Sequence, residues 1–86
     1  MEKVRILIIG TNSAIMQTIA RLVNENEQWQ AVIANSYAEA CDLCLKQHFA
    51  VALIGAGLSE TEEHDFEHFI ASKKPDLPIV KHYGGG

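Results

Sequence analysis

The chain has 86 residues, so it holds one domain at most, and at this size it buries only about 60–65% of its unfolded surface. Hydrophobic residues make up 48% of it, which excludes a disordered chain, and a formal net charge of -4 without any basic stripe argues against nucleic acid as a partner. No apolar run is long enough to span a bilayer, and the basic-then-apolar start at Met1 stops at Gly10, too early for a signal peptide, so a cytoplasmic protein that does not bind membranes is expected.

Residues 4–9 (Val-Arg-Ile-Leu-Ile-Ile) read as a first strand. Gly10-Thr11-Asn12-Ser13 breaks it, and Asn12 or Ser13 is placed to cap a helix over residues 14–25. That helix carries Ile15, Ile19, Leu22 and Val23 at i, i+4, i+7 and i+8, one apolar stripe. Polar residues 24–28 end it. Trp29 then stands alone, as a lid on the core edge or as part of an oligomer contact. Ala31-Val32-Ile33-Ala34 is a short second strand. Ser36-Tyr37-Ala38-Glu39 is a capping box, in which the serine accepts from the glutamate N–H and the glutamate reaches back to the serine N–H. The helix it opens puts Tyr37, Ala40, Cys41, Cys44, Leu45 and His48 on one face.

The run 49–58, Phe-Ala-Val-Ala-Leu-Ile-Gly-Ala-Gly-Leu, is uncharged and ends in glycine, as a strand buried on both sides of a parallel sheet does. Ser59-Glu60-Thr61-Glu62 opens a third helix with a second capping box. Glu62, Phe66, Phe69 and Ile70 are expected inward, and Lys73-Lys74 close it. Pro75-Asp76-Leu77-Pro78 is a turn, and residues 77–83 are a fourth strand before Gly84-Gly85-Gly86. The order β-α-β-α-β-α-β with short connections implies parallel strands and right-handed crossovers.

Four stretches resemble the receiver domain of two-component response regulators. Ile6-Leu7-Ile8-Ile9-Gly10-Thr11-Asn12 is similar to the family's opening strand, and Ala34-Asn35-Ser36-Tyr37-Ala38-Glu39-Ala40-Cys41 to the start of its second helix. Val51-Ala52-Leu53-Ile54-Gly55 is similar to its third strand, and Lys74-Pro75-Asp76-Leu77-Pro78-Ile79-Val80 to its link into the fourth. The resemblance covers the whole chain. It implies an α/β, flavodoxin-like, doubly wound parallel sheet of four strands in order 2-1-3-4 with three helices, the first helix opposite the other two.

The departures fall on the residues that carry the family's chemistry. The acid pair that holds magnesium is replaced by Gly10 and Thr11, and the phospho-acceptor aspartate by Gly55. Tyr83 is the nearest match to the threonine or serine after the fourth strand, and no fifth strand with its lysine follows. The resemblance therefore implies a pseudo-receiver over residues 1–86 that lacks the last α-β-α portion and phosphorelay chemistry at the usual site. It would be a signalling domain acting through protein–protein contacts and not an enzyme, with no cofactor and no metal. Either the 86 residues are a truncated receiver or a partner chain completes the sheet. The glycines at 84–86, where a β–α loop should begin, favour truncation. Leu77, Ile79 and Val80 on the edge strand are the candidate interface, with a homodimer through that side as one outcome. The alternative is a small anion or nucleotide binding module in a crevice at the strand C-terminal ends, formed by Asn12, Ala56, Tyr83 and Gly84.

Two further patterns carry weaker chemistry. Cys41-Asp42-Leu43-Cys44 has redox or zinc spacing but lies inside a helix on its apolar face, which favours packing. His64 and His68 are an outward i, i+4 pair, better read as a solvated helix face than as a metal site. The acids Glu60, Glu62, Glu63, Asp65 and Glu67 at the start of the third helix complement its dipole or form an acidic docking face.

Overall fold

A computed structural model describes residues 3–55 and 57–81. The elements alternate: β1 (Val4–Ile9), α1 (Ser13–Asn24), β2 (Trp29–Ala34), α2 (Tyr37–Lys46), β3 (Val51–Ile54), α3 (Glu60–Lys73) and β4 (Ile79–Lys81). The four strands form one parallel sheet in the order β2-β1-β3-β4. Fold class and strand order are those expected from the sequence.

Because strand side chains alternate, β1 divides the core in two. Leu7 and Ile9 pack with Ala34, Ala52 and Ile54 against Ala40 and Cys44 of α2 and Phe66 and Ile70 of α3. Ile6 and Ile8 face the other way, onto Met16 and Val23 of α1. Helix α1 thus lies opposite α2 and α3, as expected.

Each helix starts on a side-chain cap. Asn12 Oδ1 accepts from the Ile15 N–H at 3.1 Å, and Ser36 Oγ from the Glu39 N–H at 3.1 Å. The Ser59 box closes in both directions, with Ser59 Oγ accepting from Glu62 N–H at 3.1 Å and Glu62 Oε1 from Ser59 N–H at 3.2 Å. The Ser36 box differs from expectation by one residue: Glu39 Oε1 accepts from the N–H of Asn35 at 3.3 Å, one position before the cap.

Other differences are of packing. Strand β2 begins at Trp29, because Val4 and Trp29 already pair in register. Strand β3 is the four-residue centre of the apolar run, and the described part of β4 is three residues long. On α1 the fully buried residue is Met16, while Leu22 is 60% exposed. The stripe is rotated by one position, since Met16, Ile19, Ala20 and Val23 make an equally apolar face and the methionine alone reaches the loop at Gly55. On α2, Leu45 turns outward and His48 falls beyond the helix end, exposed, leaving Ala40 and Cys44 as the buried contacts. Glu62 is half-buried by its capping role.

Candidate functional site

In an open parallel sheet, ligands and chemistry gather just beyond the strand C-terminal ends. Here the segments after β1 and β3 meet at that end. Gly55 is held by its N–H donating to the Ile9 carbonyl at 2.8 Å, and Gly10 by its N–H donating to the Ala34 carbonyl at 3.1 Å. Both glycines are buried. Gly10, Thr11 and Gly55 thus lie at this end of the sheet, and none offers a carboxylate.

The space beside Gly55 is filled. A Cβ added there would meet Met16 Sδ at 2.6 Å and Cε at 3.2 Å, closer than carbon and sulfur tolerate. Met16 itself is fully buried, so its thioether takes up the volume a larger residue at 55 would use. The second loop is locked as well. Gly57 has φ 102°, a left-handed conformation that only glycine adopts without strain. A Cβ on it would collide with the Thr11 hydroxyl and approach the Asn12 N–H nitrogen to 3.0 Å. Thr11 Oγ1 donates to the Gly57 carbonyl at 2.9 Å, tying the β1–α1 loop to the β3–α3 loop.

For the crevice residues, the side chain of Asn12 is used in capping α1, and Ala56, Tyr83 and Gly84 lie outside the described residues. At the candidate interface, Leu77 and Ile79 are half-buried against the α2/α3 core, and Val80 is 49% exposed on the opposite face.

The cysteines pack. Cys44 is buried and its thiol is pushed up to about 11, first by burial and then by the neighbouring Cys41, with Lys74 pulling slightly the other way. Burial likewise raises Cys41, against a hydrogen bond with Tyr37 that lowers it, and the same contact is the first cause of a raised Tyr37. Thiols held in the neutral form at neutral pH make poor nucleophiles and poor metal ligands. His64 and His68 are exposed on α3 with ring centroids 5.9 Å apart. Among the described residues no three His, Cys, Asp or Glu side chains cluster as a metal site. Of the acids on α3, Glu67 and Glu63 reach Lys81 on β4 at 3.0 and 3.9 Å.

Two features were missed in the sequence. Met16 as the plug at Gly55 was legible only as the i, i+4, i+7 alternative Met16-Ala20-Val23. A recess of about 370 Å³ at the opposite end of the sheet, lined by Cys44, Phe49, Lys74 and Leu77 among others, joins two stretches of the chain, 44–50 and 73–77, and left no local signal.

No family model matches the chain, and no curated protein matches it. Among the described residues no helix is long and apolar enough to cross a membrane. Among solved structures, the chain is similar to the non-phosphorylated HemR receiver domain from Leptospira biflexa, with a TM-score of 0.81 at 20% identity. The match covers 96% of this chain and 66% of that one, so the chain spans about two thirds of that receiver's length. The fold is that of a receiver domain, in the flavodoxin-like order the sequence resemblance implied.

Proposed function

We propose that this is a receiver-like signalling domain that takes no phosphoryl group at the usual site and works through protein–protein contacts in the cytoplasm. The observation that carries the reading is the Gly55–Met16 contact. The acceptor position has no side chain, and the adjoining volume is occupied by a buried thioether. Gly10 and Thr11 supply no carboxylates for a hard cation, which needs oxygen ligands, and the Thr11 hydroxyl already serves Gly57. A charge switch has no acceptor here, so the conformation is fixed or set by a partner. The strand-4 side, with Leu77, Ile79 and Val80, is the contact surface, and a second copy of the chain is one partner it accommodates. No catalytic residue, cofactor, metal or nucleic acid enters this function.

The test is to incubate the protein with acetyl phosphate and magnesium and weigh it intact. No phosphoryl adduct is expected. A stoichiometric adduct that survives as an acyl phosphate would overturn the reading. Light scattering over a concentration series, with the melting temperature at each point, then separates self-association from a monomer awaiting another protein.

A further inference from the structure

Helix α3 holds two histidines side by side. Its Ser59–Glu62 capping box fixes the first turn, and Phe66 and Ile70 are buried against the core. The helical period puts His64 and His68, four residues apart, on the face turned away from Phe66, and both are exposed. The neighbouring positions on that face, Thr61 and Ala71, carry short side chains. The two ring centroids are 5.9 Å apart, with the ring planes at 62°. Among the described residues neither imidazole makes a hydrogen bond or an ion pair, so their nitrogens are open to a ligand.

The spacing selects the ligand class. A zinc–nitrogen bond is about 2.0–2.1 Å long, so two imidazoles on one ion stand with their centroids roughly 5 Å apart. The observed 5.9 Å differs from this by about 1 Å, which rotation about the χ angles of two exposed side chains closes while the helix stays in place. Imidazole nitrogens suit zinc, copper(II) and nickel(II), whereas magnesium and calcium take oxygen ligands. Glu60, one turn before His64 on the same face, and Asp65 and Glu67 beside it make the local field negative, which concentrates cations. Glu67 is itself engaged by Lys81 at 3.0 Å and is not counted as a ligand.

We propose that His64 and His68 chelate one divalent transition-metal ion, with zinc as the reference case, on the exposed face of α3. Two protein nitrogens leave the other coordination positions to water, so the ion is held reversibly. The site stands independently of the signalling reading, because it uses none of the residues around Gly55. It also excludes Cys41 and Cys44, which lie on α2.

The experiment is a titration of the full, reduced chain with zinc chloride, followed by the imidazole nitrogen signals in NMR and by the melting temperature at each point. The His64 and His68 signals should move together and saturate at one ion per chain. At a zinc concentration a few times the dissociation constant the melting temperature should rise by about 4–8 °C, since the chelate exists only on the folded helix. His64→Gln and His68→Gln should each weaken binding about tenfold or more, because the second nitrogen no longer acts at high effective concentration. His48→Gln and His82→Gln should change nothing, and magnesium chloride should leave both ring signals in place. Separate saturation of the two rings, unchanged affinity in either single variant, loss of binding in His48→Gln or His82→Gln, shifts at Cys41 or Cys44 in place of the histidines, equal shifts with magnesium, or no saturable shift would each overturn the proposal. Both test substitutions put a good helix former at an exposed position, and equal melting temperatures without zinc confirm that a lost response is not a loss of fold.

Discussion

The two faces of the sheet are built to different standards. On the α2/α3 face, two helices cover the strands, and ten buried residues from Leu7 to Ile70 form one continuous cluster. On the α1 face a single helix covers β1 and β2, the buried cluster has four members, and Leu22, Trp29 and Val80 remain 60%, 42% and 49% exposed. A second recess there runs along α1 past Ile15, Ile19, Leu22 and Leu53 to Trp29. Parallel sheets are normally covered on both faces. The difference teaches that the two sides are finished to different degrees: the closed face holds the domain together, and the open one leaves apolar surface in water.

The sharpest way to break the comparison is to remove one large side chain from each face. Phe66→Ala, in the fully buried centre of the closed face, should cost about 3–5 kcal/mol, a large share of what so small a domain has. Leu22→Ala on the open face should change stability by no more than about 0.5 kcal/mol in dilute protein. Urea denaturation of both variants at one low concentration measures the contrast. A Leu22 cost near that of Phe66 would show that the open face is already closed by something.

The next test concerns the junction where the α1 side reaches the blank acceptor position. Gly55→Asp forces new atoms onto Met16 and should destabilise by about 1–3 kcal/mol through overpacking alone. Met16→Ala opens a cavity of its own. Combined, the two changes should be less damaging than their sum, with a coupling of about 0.5–3 kcal/mol, since one creates the space the other needs. Strict additivity in a double-mutant cycle would remove Met16 as the plug.

The smallest effect is on the closed face and is read in alkali. The folded state holds the Cys44 proton up to about 11, above the ordinary value of 9.0, so it binds more protons than the unfolded chain between these values. Its contribution is therefore complete below about pH 9 and is lost as pH rises towards about 11. Cys44→Ala should flatten the decline of melting temperature across that window. Below it, a thiol reagent should modify half-buried Cys41 well before Cys44.

The parts of this architecture that repeat locally were legible in the sequence. Alternation of apolar strands with capped helices implies the element order and the parallel, right-handed connections, while the order 2-1-3-4 came with the resemblance to receiver domains. The blank at Gly55 was also legible, because glycine is chemically silent wherever it is. What could not be read is rotation and reach. Ile15-Ile19-Leu22-Val23 and Met16-Ile19-Ala20-Val23 are both valid stripes, differing by a small turn about the helix axis, and only the depth available beneath Gly55 selects the second. Leu45 looks like a core residue by type, yet at 61% exposure it falls just past the edge of the α2 stripe. The recess around Phe49 and Lys74 arises from two stretches distant in the chain, 44–50 and 73–77, and no periodicity within either of them announces it.

Trp29 gives the open face a built-in optical reporter. It is the chain's single tryptophan, so all indole emission comes from one place, at the foot of α1 beside Leu22 and Val23. At 42% exposure the indole is wet in the isolated domain and should emit at long wavelength, with ready quenching by iodide. Any partner that closes this face must dry that ring, shifting the emission to the blue and shielding it from the quencher. A ligand at the strand C-terminal ends, beside Gly55, should leave the spectrum unchanged. Occupancy of this face can therefore be followed by light alone, without a label and without knowing the partner beforehand.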